Sequence, residues 1–327
     1  MFGLPRGFPG IIEDPPAIFK LDASYASAAM LTKGGSRLGG SVGNDYKLID
    51  SLSLDEKASR ISAALSELEI DGIIATGGDT SMDLIAQMLQ YATGNIPFIG
   101  IPKSIDNDIP STIYSIGFQS AVATAAKSIA AVRDTAESHR RVIVVECMGR
   151  NAGFLTLHSG IAGGADTILL PEFPVDNTQL LKHVEEVYKK HECAVVVVSE
   201  AIRLSSNSGK TSKYTTADGK TRLGGSAEAV ARFLSESLGL DARHVVLGHT
   251  QRGGSPNGFD QVMATTLGAH AVNAICEGQS EVMMNWNGRN VEAIPLDEVR
   301  DVPSKSLSSD YPELIAAQSM GIYCGST

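Results

Sequence analysis

Short apolar runs rich in β-branched residues alternate along the chain with longer stretches of helical periodicity. Six of these runs have the length of buried strands, namely 72–76, 97–100, 142–146, 167–170, 194–199 and 245–248. Between them, residues 57–68 place apolar side chains on one helical face, and residues 118–132 combine many alanines with an apolar stripe. Because this alternation is typical of parallel sheets covered by helices, the chain is predicted to be an α/β protein with mainly parallel sheets.

Two polar stretches interrupt the alternation. Residues 204–222 are rich in Ser, Thr, Gly and Lys and show no periodicity, which indicates a surface loop or a mobile lid. Residues 34–41 read G-G-S-R-L-G-G-S and form a glycine loop that no clear strand precedes. A doubly wound domain normally begins with a strand, so the first seventy residues depart from the pattern of the rest.

Length and charge narrow the class of protein. A chain of 327 residues suggests about two domains. The 27 Lys and Arg against 37 Asp and Glu give a formal net charge of −10, which does not suit duplex nucleic acid, so no nucleic-acid partner is expected. No apolar run approaches the ~20 residues that cross a bilayer, and the N-terminus lacks the features of a secretory signal. We therefore expect no membrane association.

The spacing of the cysteines indicates the redox state of the compartment in which the protein works. Four of them are scattered along the chain with neither metal-ligand nor C-x-x-C spacing, at Cys147, Cys193, Cys276 and Cys324. Such spacing favours reduced thiols, which are typical of a reducing compartment. The sequence therefore predicts a cytoplasmic protein.

The first group of candidate site residues follows the predicted strand 72–76. It consists of Gly77, Gly78, Asp79, Thr80 and Ser81. A strand that runs through a glycine turn into a helix exposes free N–H groups and the positive end of the helix dipole, which together favour an anion. A carboxylate in the same turn can hold Mg²⁺, a hard cation that takes one or two carboxylates plus substrate phosphates. The alternative is a plain turn in which the carboxylate caps the helix.

The second group follows the predicted strand 97–100. Lys103 precedes Ser104, Asp106 and Asp108, so two carboxylates stand at i and i+2 with a lysine just before them. This set suits a general base, an orienting or metal-binding carboxylate and a phosphate clamp. The carboxyl ends of parallel strands line one crevice, so this loop and the previous one are expected to face the same ligand. The alternative is a turn rich in Asp and Asn beside a solvated lysine.

Two further turns carry groups that bind anions and hydroxyls. Met148, Gly149 and Arg150 follow the strand 142–146, where a guanidinium can grip a phosphate bidentately. His249 and Arg252 lie in a glycine-rich turn after the strand 245–248.

Other charged residues stand near these turns. Arg243 is placed before the strand 245–248, at the end opposite to His249, and therefore can serve a different site. Glu200 follows the strand 194–199 and can accept hydrogen bonds from sugar hydroxyls, or equally cap a helix. Arg141 belongs to a basic cluster with Arg133 and Arg140, which by itself is typical of a solvated face. Taken together, the groups that follow the strands indicate phosphoryl transfer to a polyol.

These motifs resemble those of the phosphofructokinase family. The matching stretches, in family order and spacing, are G-G-D-x-S at 77–81, P-K-S-I-D-N-D at 102–108, H-x-R at 139–141, M-G-R at 148–150 and G-H-x-Q-R-G-G-S-P at 248–256. The resemblance extends from Gly34 to the C-terminus. It implies two similar-sized, doubly wound domains and transfer of a phosphoryl group to the 1-hydroxyl of fructose 6-phosphate in glycolysis, with Mg²⁺. The donor domain would comprise 1–117 plus 251–305, and the fructose 6-phosphate domain 118–250 plus 306–327.

The resemblance also implies a role for each candidate residue. Asp106 would be the general base, with Lys103 and Arg150 assisting catalysis, and Asp79 would be the carboxylate on the metal side. Asp108 would orient groups or bridge to the metal, and Ser104 would contact the phosphoryl group or the sugar. The sugar pocket would comprise Met148, Gly149, Arg150, Glu200, His249 and Arg252. Arg141 and Arg243 would reach the sugar phosphate of a neighbouring subunit, which implies a homodimer or homotetramer with shared active sites.

The sequence departs from the family pattern at its start. The family normally opens with a strand and a G-G-x-x-P-G-x-N loop that binds the donor, and neither precedes Gly34. We expect a truncated sequence, a start codon assigned too far downstream, or a form that has lost part of its donor site. The last case predicts a regulatory subunit or paralogue that binds the sugar phosphate but is catalytically impaired. A dinucleotide-dependent enzyme is disfavoured because no G-x-G-x-x-G follows a strand.

The phosphoryl donor depends on two positions. In the family, ATP-users usually carry Gly after G-G-D, whereas pyrophosphate-users carry Asp there and Lys before the S/T-I-D-N-D run. Thr80 is neither Gly nor Asp, and its branched side chain crowds the space that Gly leaves open. Lys103 matches pyrophosphate-users and one group of ATP-users. Pyrophosphate is therefore slightly favoured over ATP.

Overall fold

The computed structural model describes residues 1–7, 9–41, 47, 49, 51–78, 81, 96–202, 204, 214–215, 221–300 and 302–326. Within these residues the chain divides into two compact units. The first comprises Met1–Ser104, Ile109–Ile116 and Gly254–Ser304, and the second comprises Ile105–Asp108, Gly117–Gly253 and Lys305–Thr327. None of the described helices is long and apolar enough to cross a membrane.

The first unit is built on a mixed sheet with a parallel centre. Its strands are β3 (Ile73–Gly77), β4 (Phe98–Ser104), β12 (Val282–Trp286) and β13 (Val291–Pro295), in the order β13-β12-β4-β3. The short strand β5 (Ile116–Gly117) also pairs with β4. The neighbours β3, β4 and β12 are parallel to one another, and β13 is antiparallel to β12. A separate antiparallel pair joins β1 (Phe2–Gly3) to β2 (Phe19–Lys20).

The second unit contains a fully parallel sheet. Its strands are β6 (Val142–Cys147), β7 (Thr167–Leu169), β8 (Ala194–Ser199) and β11 (Ala242–Val246), in the order β11-β6-β8-β7. Every residue of β6 and β8 is buried, because helices cover both faces of a parallel sheet and the strands are therefore apolar throughout. The short antiparallel strands β9 (Tyr214–Thr215) and β10 (Thr221–Arg222) pair with each other.

Helices connect the strands. Among the described residues they are α1 (Pro9–Ile12), α2 (Leu54–Glu67), α3 (Phe118–His139), α4 (Phe154–Gly163), α5 (Asn177–His191), α6 (Ser226–Leu238), α7 (Gly258–Cys276), α8 (Asp297–Arg300) and α9 (Pro312–Ser319). Short 3₁₀ helices cover Ala23–Ala26, Ala28–Thr32 and Gly248–Arg252. Helix α2 begins with a capping box, in which Ser53 and Glu56 exchange hydrogen bonds. Helix α6 is fixed to the sheet because Glu146 at the end of β6 accepts the Ala227 N–H at 3.0 Å.

The α/β architecture with mainly parallel sheets confirms the prediction, and all but one of the predicted strands differ from the observed ones at most at their ends. The predicted strand 194–199 is observed unchanged as β8, whereas 97–100 extends to Ser104. The prediction for 245–248 is wrong in position. The strand β11 covers Ala242–Val246, so Arg243 lies inside it rather than before it. Its register explains the shift, because Ala242 to Val246 pair with Val142 to Glu146 and polar Arg243 and His244 complete the ladder at an exposed edge strand. Most of the predicted loop 204–222 lies outside the described residues.

Candidate active site

Two turns lie side by side at the carboxyl edge of the first unit's sheet. The register pairs Gly77, the last residue of β3, with Pro102 of β4, and Lys103 and Ser104 complete β4. Gly77 is required at this turn because a Cβ there would lie 2.7 Å from Cβ of Ser81. The predicted anion-binding groups of this unit are therefore neighbours, except that Asp79 and Thr80 lie outside the described residues.

A cavity of about 860 Å³ opens beside these turns within the first unit. Its lining includes Thr76, Gly77, Ser81 and Lys103, together with mainly apolar residues of β1, β3 and α7. A cavity of this size with a few polar groups is typical of a small-molecule site. Within the described part of the chain, no cluster of three His, Cys, Asp or Glu side chains is suited to hold a metal without help from a ligand.

The two carboxylates of the second loop belong to the second unit. Asp106 is 5% exposed, and Asn107, which separates it from Asp108, has a left-handed backbone with φ of 55°. Asn is among the residues that adopt this conformation most easily, and it lets the chain reverse between the two acids. The sequence thus places two carboxylates close together in a partly buried loop.

Asp106 has the electrostatics of a proton acceptor. The pKa of Asp106 is raised to about 6: burial is the largest cause and the nearby negative charges of Asp108 and Glu200 add to it, whereas Arg150 and Arg252 oppose the shift. The Arg150 Nε lies 3.7 Å from Asp106 Oδ2, and this guanidinium is 68% exposed. A cation that remains largely in water only partly compensates the loss of water around the carboxylate. The result is a carboxylate whose pKa lies close to neutral pH, a property that suits a general base.

The turn that carries Arg150 has a strained backbone. Gly149 has φ of 142°, and a Cβ there would lie 2.6 Å from the Ala152 carbonyl oxygen, so only glycine fits. Arg150 itself is left-handed, with φ of 50°. Glu200 stabilises the turn, because its Oε1 accepts the N–H of Gly149 at 3.2 Å and of Arg150 at 2.9 Å. Strain of this kind is common at ligand-binding sites.

The Gly248–Arg252 helix adds a residue that the sequence analysis did not identify. Gln251 is 2% exposed, and its Oε1 accepts the N–H of Met148 at 2.9 Å. It therefore links the Met148 turn to the segment in which His249 and Arg252 are exposed. The sequence shows this glutamine within the G-H-x-Q-R-G-G motif, but its burial and its contact with Met148 are visible only in the structure.

Arg141 and Arg243 lie at the other end of the same sheet. Arg141 precedes β6, Arg243 is the second residue of β11, and Asp241 contacts both. Its two carboxylate oxygens lie 2.7 Å from Arg141 Nε and 2.8 Å from Arg243 Nε. The second unit therefore groups Asp106, Asp108, Arg150, Glu200 and Arg252 near the carboxyl ends of its strands, and the pair Arg141 and Arg243 near the amino ends.

Known proteins match this chain along most of its length. The phosphofructokinase family model matches residues 1–275. The ATP-dependent 6-phosphofructokinase 1 of Nostoc sp. is 35% identical over 330 residues, which are 99% of this chain and 90% of the relative. The pyrophosphate–fructose 6-phosphate 1-phosphotransferase of Amycolatopsis methanolica is 38% identical over 270 residues, which are 82% of this chain and 76% of the relative.

A solved structure has the same fold. The pyrophosphate-dependent phosphofructokinase of Marinobacter aquaeolei aligns with a TM-score of 0.71 and 23% identity, over 94% of this chain and 79% of that one. These relatives are all phosphofructokinases, and they include both ATP-dependent and pyrophosphate-dependent enzymes. The comparisons therefore do not distinguish between the two phosphoryl donors.

Proposed function

This chain belongs to the phosphofructokinase family, and we propose that it transfers a phosphoryl group from pyrophosphate to the 1-hydroxyl of fructose 6-phosphate. The product is fructose 1,6-bisphosphate, and the pathway is glycolysis. The observation that carries the proposal is the buried Asp106, whose pKa is raised to about 6 beside Arg150 and Arg252.

Asp106 acts as the general base. Phosphoryl transfer needs little covalent chemistry from the protein, so the rate depends on positioning and on charge neutralisation. The carboxylate of Asp106 accepts the proton of the sugar 1-hydroxyl while that oxygen attacks a phosphorus of pyrophosphate. The bond from that phosphorus to the bridging oxygen breaks, and orthophosphate leaves. Arg150 and Lys103 neutralise charge on the transferred group, and Ser104 hydrogen-bonds to it. Asp108 orients the loop that carries the base.

The second unit provides the sugar pocket. Met148, Gly149 and Arg150 present backbone and guanidinium groups in a turn that Glu200 and Gln251 hold in place. His249 and Arg252 extend the same surface, and Arg252 is close enough to lower the pKa of Asp106. Arg141 and Arg243 lie at the opposite end of the sheet, which supports a shared site in which they bind the sugar phosphate held by a second subunit. We therefore propose a homodimer or homotetramer.

The first unit provides the donor site, with Gly77, Gly78, Asp79, Thr80, Ser81 and Lys103. Pyrophosphate is favoured because Thr80 follows G-G-D in place of the glycine of ATP-users and because Lys103 precedes S-I-D-N-D. One observation favours ATP as the second candidate. The cavity of about 860 Å³ beside Gly77 and Lys103 has a mainly apolar lining, which suits a nucleoside better than a bare diphosphate.

The family generally requires a divalent metal, and we propose Mg²⁺. Mg²⁺ is usually bound by one or two carboxylates plus substrate phosphates, so the described residues need no metal cluster of their own. Asp79 would hold the ion together with the phosphate oxygens of the donor. When bound, the metal would neutralise charge on those phosphates. For the compartment we propose the cytoplasm, where the four free cysteines would stay reduced.

A coupled assay tests the function. The purified chain is given fructose 6-phosphate and Mg²⁺ with either pyrophosphate or ATP, and formation of fructose 1,6-bisphosphate is followed. We expect turnover with pyrophosphate that exceeds turnover with ATP and disappears when EDTA removes the metal. Faster turnover with ATP would reverse the choice of donor. Calorimetric binding of fructose 6-phosphate without turnover by either donor would overturn the proposal in favour of a regulatory subunit.

A further inference from the structure

A C-terminal segment returns to the loop of the two carboxylates within the second unit. The Lys305 N–H donates to the Asp108 carbonyl oxygen at 2.7 Å. Two residues later, the Leu307 N–H donates to Oε1 of Glu172 at 3.2 Å, and the Gly153 N–H donates to the same oxygen at 2.8 Å. The segment therefore bridges the Asp106–Asp108 loop and the start of α4, which follows the Arg150 turn.

The Lys305 side chain is confined by this arrangement. Its Nζ lies 5.0 Å from the centre of the Phe154 ring, a distance at which a cation is attracted to the ring face. Burial lowers the pKa of Lys305 to about 8, and the charge of Asp108 opposes that shift. His158 is a second titratable group near Lys305. Burial lowers the pKa of His158, the charge of Glu313 raises it, and the charge of Lys305 lowers it to a smaller extent. An ammonium removed from water remains charged only where a counter-ion is near, and the acid that acts on Lys305 is Asp108.

Asp108 lies between this cation and the proposed base in the chain of interactions, because it interacts with both. The negative charge of Asp108 raises the pKa of Asp106. A positive charge next to Asp108 reduces its field at Asp106, and the hydrogen bond from the Lys305 backbone fixes the end of the loop. No motif of the sequence analysis contains Lys305, because it stands about two hundred residues after the loop that it contacts.

We propose that Lys305 is a positioning residue for phosphoryl transfer, holding the Asp108 side of the Asp106–Asp108 loop by charge attraction and a backbone hydrogen bond. The proposal rests on the function proposed above. Lys305 does not itself exchange a proton with the substrate. It keeps the loop in the arrangement in which Asp106 is the carboxylate that accepts the hydroxyl proton.

Kinetics of three variants test the role. Lys305→Met removes the charge at nearly constant volume, Lys305→Arg keeps it, and Lys190→Met is the matched control at an exposed position of α5. We expect Lys305→Met to lower kcat about 10- to 100-fold with KM for fructose 6-phosphate nearly unchanged, and to move the acid limb of the pH profile upward. Lys305→Arg should recover most of kcat. A loss confined to KM, or no larger than that of Lys190→Met, would overturn the proposal.

A second measurement does not depend on activity. Competitive labelling with acetic anhydride, read by mass spectrometry, gives the pH at which the Lys305 amine becomes reactive. In Asp108→Asn this pH should fall, because the carboxylate no longer stabilises the ammonium, whereas the Lys190 amine should not change. An unchanged Lys305 profile would overturn the pairing even if Lys305→Met failed to fold. If the wild-type chain turned over no fructose 6-phosphate, but the Lys305 profile still differed between wild type and Asp108→Asn, the proposed function would be overturned and the pairing retained.

Discussion

The two ends of the second unit's parallel sheet contain the same kinds of side chain in different surroundings. Near the carboxyl ends of the strands, Asp106 has a side chain 6% exposed, and Arg150 Nε lies 3.7 Å from its Oδ2. Near the amino ends, Asp241 is 44% exposed and lies 2.7 and 2.8 Å from Arg141 and Arg243. Asp241, whose ion pairs are shorter, is therefore more exposed to solvent than Asp106.

This difference shows that burial, rather than the presence of arginines, makes a carboxylate a base. Desolvation is the largest cause of the raised pKa of Asp106, and two arginines do not cancel it. The ion pairs of Asp241 are exposed, and exposed pairs typically contribute only about 0–1 kcal/mol to the free energy of unfolding. The carboxyl end is suited to proton transfer, and the amino end to presenting two oriented cations to an anion outside the unit.

Removal of the buried carboxylate should have the largest effect. Asp106→Asn keeps the shape but cannot accept a proton, so kcat should fall by about 10²- to 10⁴-fold with little change in affinity for fructose 6-phosphate. Steady-state kinetics and calorimetry measure the two quantities. Asp134→Asn, at an exposed position of α3, is the control. If Asp106→Asn retained wild-type kcat, the distinction between the two ends would fail.

Loss of a cation from the amino end should act on binding. Arg243→Ala should raise KM for fructose 6-phosphate by about 10- to 100-fold, the size of a lost charge-assisted hydrogen bond. If Arg243 of one subunit serves the site that contains Asp106 of the other, a mixed dimer of Arg243→Ala and Asp106→Asn contains one intact site and one site that lacks both residues. Mixing the two variants after reversible dissociation should restore roughly a quarter of wild-type activity for random dimers. Absence of recovery in verified mixed oligomers would place Arg243 outside any shared site.

The strained turn at the carboxyl end should resist a side chain. Gly149→Ala adds a Cβ beside the Ala152 carbonyl oxygen in a left-handed backbone, so the free energy of unfolding should fall by about 1–3 kcal/mol. Affinity for fructose 6-phosphate should fall with it, because Arg150 is the next residue. Gly268→Ala in α7, where nothing lies within 4 Å, is the control and should be neutral or slightly stabilising. Thermal unfolding and calorimetry measure both variants.

The pH dependence should report the buried acid. Because the pKa of Asp106 is raised to about 6, the proposed base is mostly ionised above that pH and mostly protonated below it. The value of kcat/KM should therefore fall about tenfold per pH unit below pH 6 and level off above it. An acid limb at the ordinary pKa of an exposed aspartate, near pH 4, would show that the carboxylate is solvated in the working enzyme.

The smallest effect is expected from the exposed acid. Asp241→Asn should change the free energy of unfolding by less than about 1 kcal/mol, since its ion pairs are exposed to water and salt. Urea denaturation at low and high salt measures this change. A loss of several kcal/mol would mean that Asp241 is as structurally important as a buried acid, and the contrast between the two ends would no longer hold.

Several features followed from the sequence alone. The β-branched run of β8 and the alternation of strands with helices predicted the α/β class, because helix and strand periods are local properties of the chain. The motifs that follow the strands predicted Asp106 and Arg150 as site residues, and chain topology brings the carboxyl ends of parallel strands to one edge. The start of β11 was misplaced because Arg243 and His244 have no apolar pattern, and only the partner strand β6 defines the register.

Other features required the tertiary structure. The sequence shows that Asp106 is an aspartate, but its raised pKa depends on the number of surrounding atoms that exclude water, which no local pattern encodes. The contacts of Glu200 with the Arg150 turn, of Gln251 with Met148 and of Lys305 with Asp108 join residues far apart in the chain. The sequence therefore determined which chemical groups are present and which strands they follow in the chain. Folding decided which of these groups lose their water and which remain solvated.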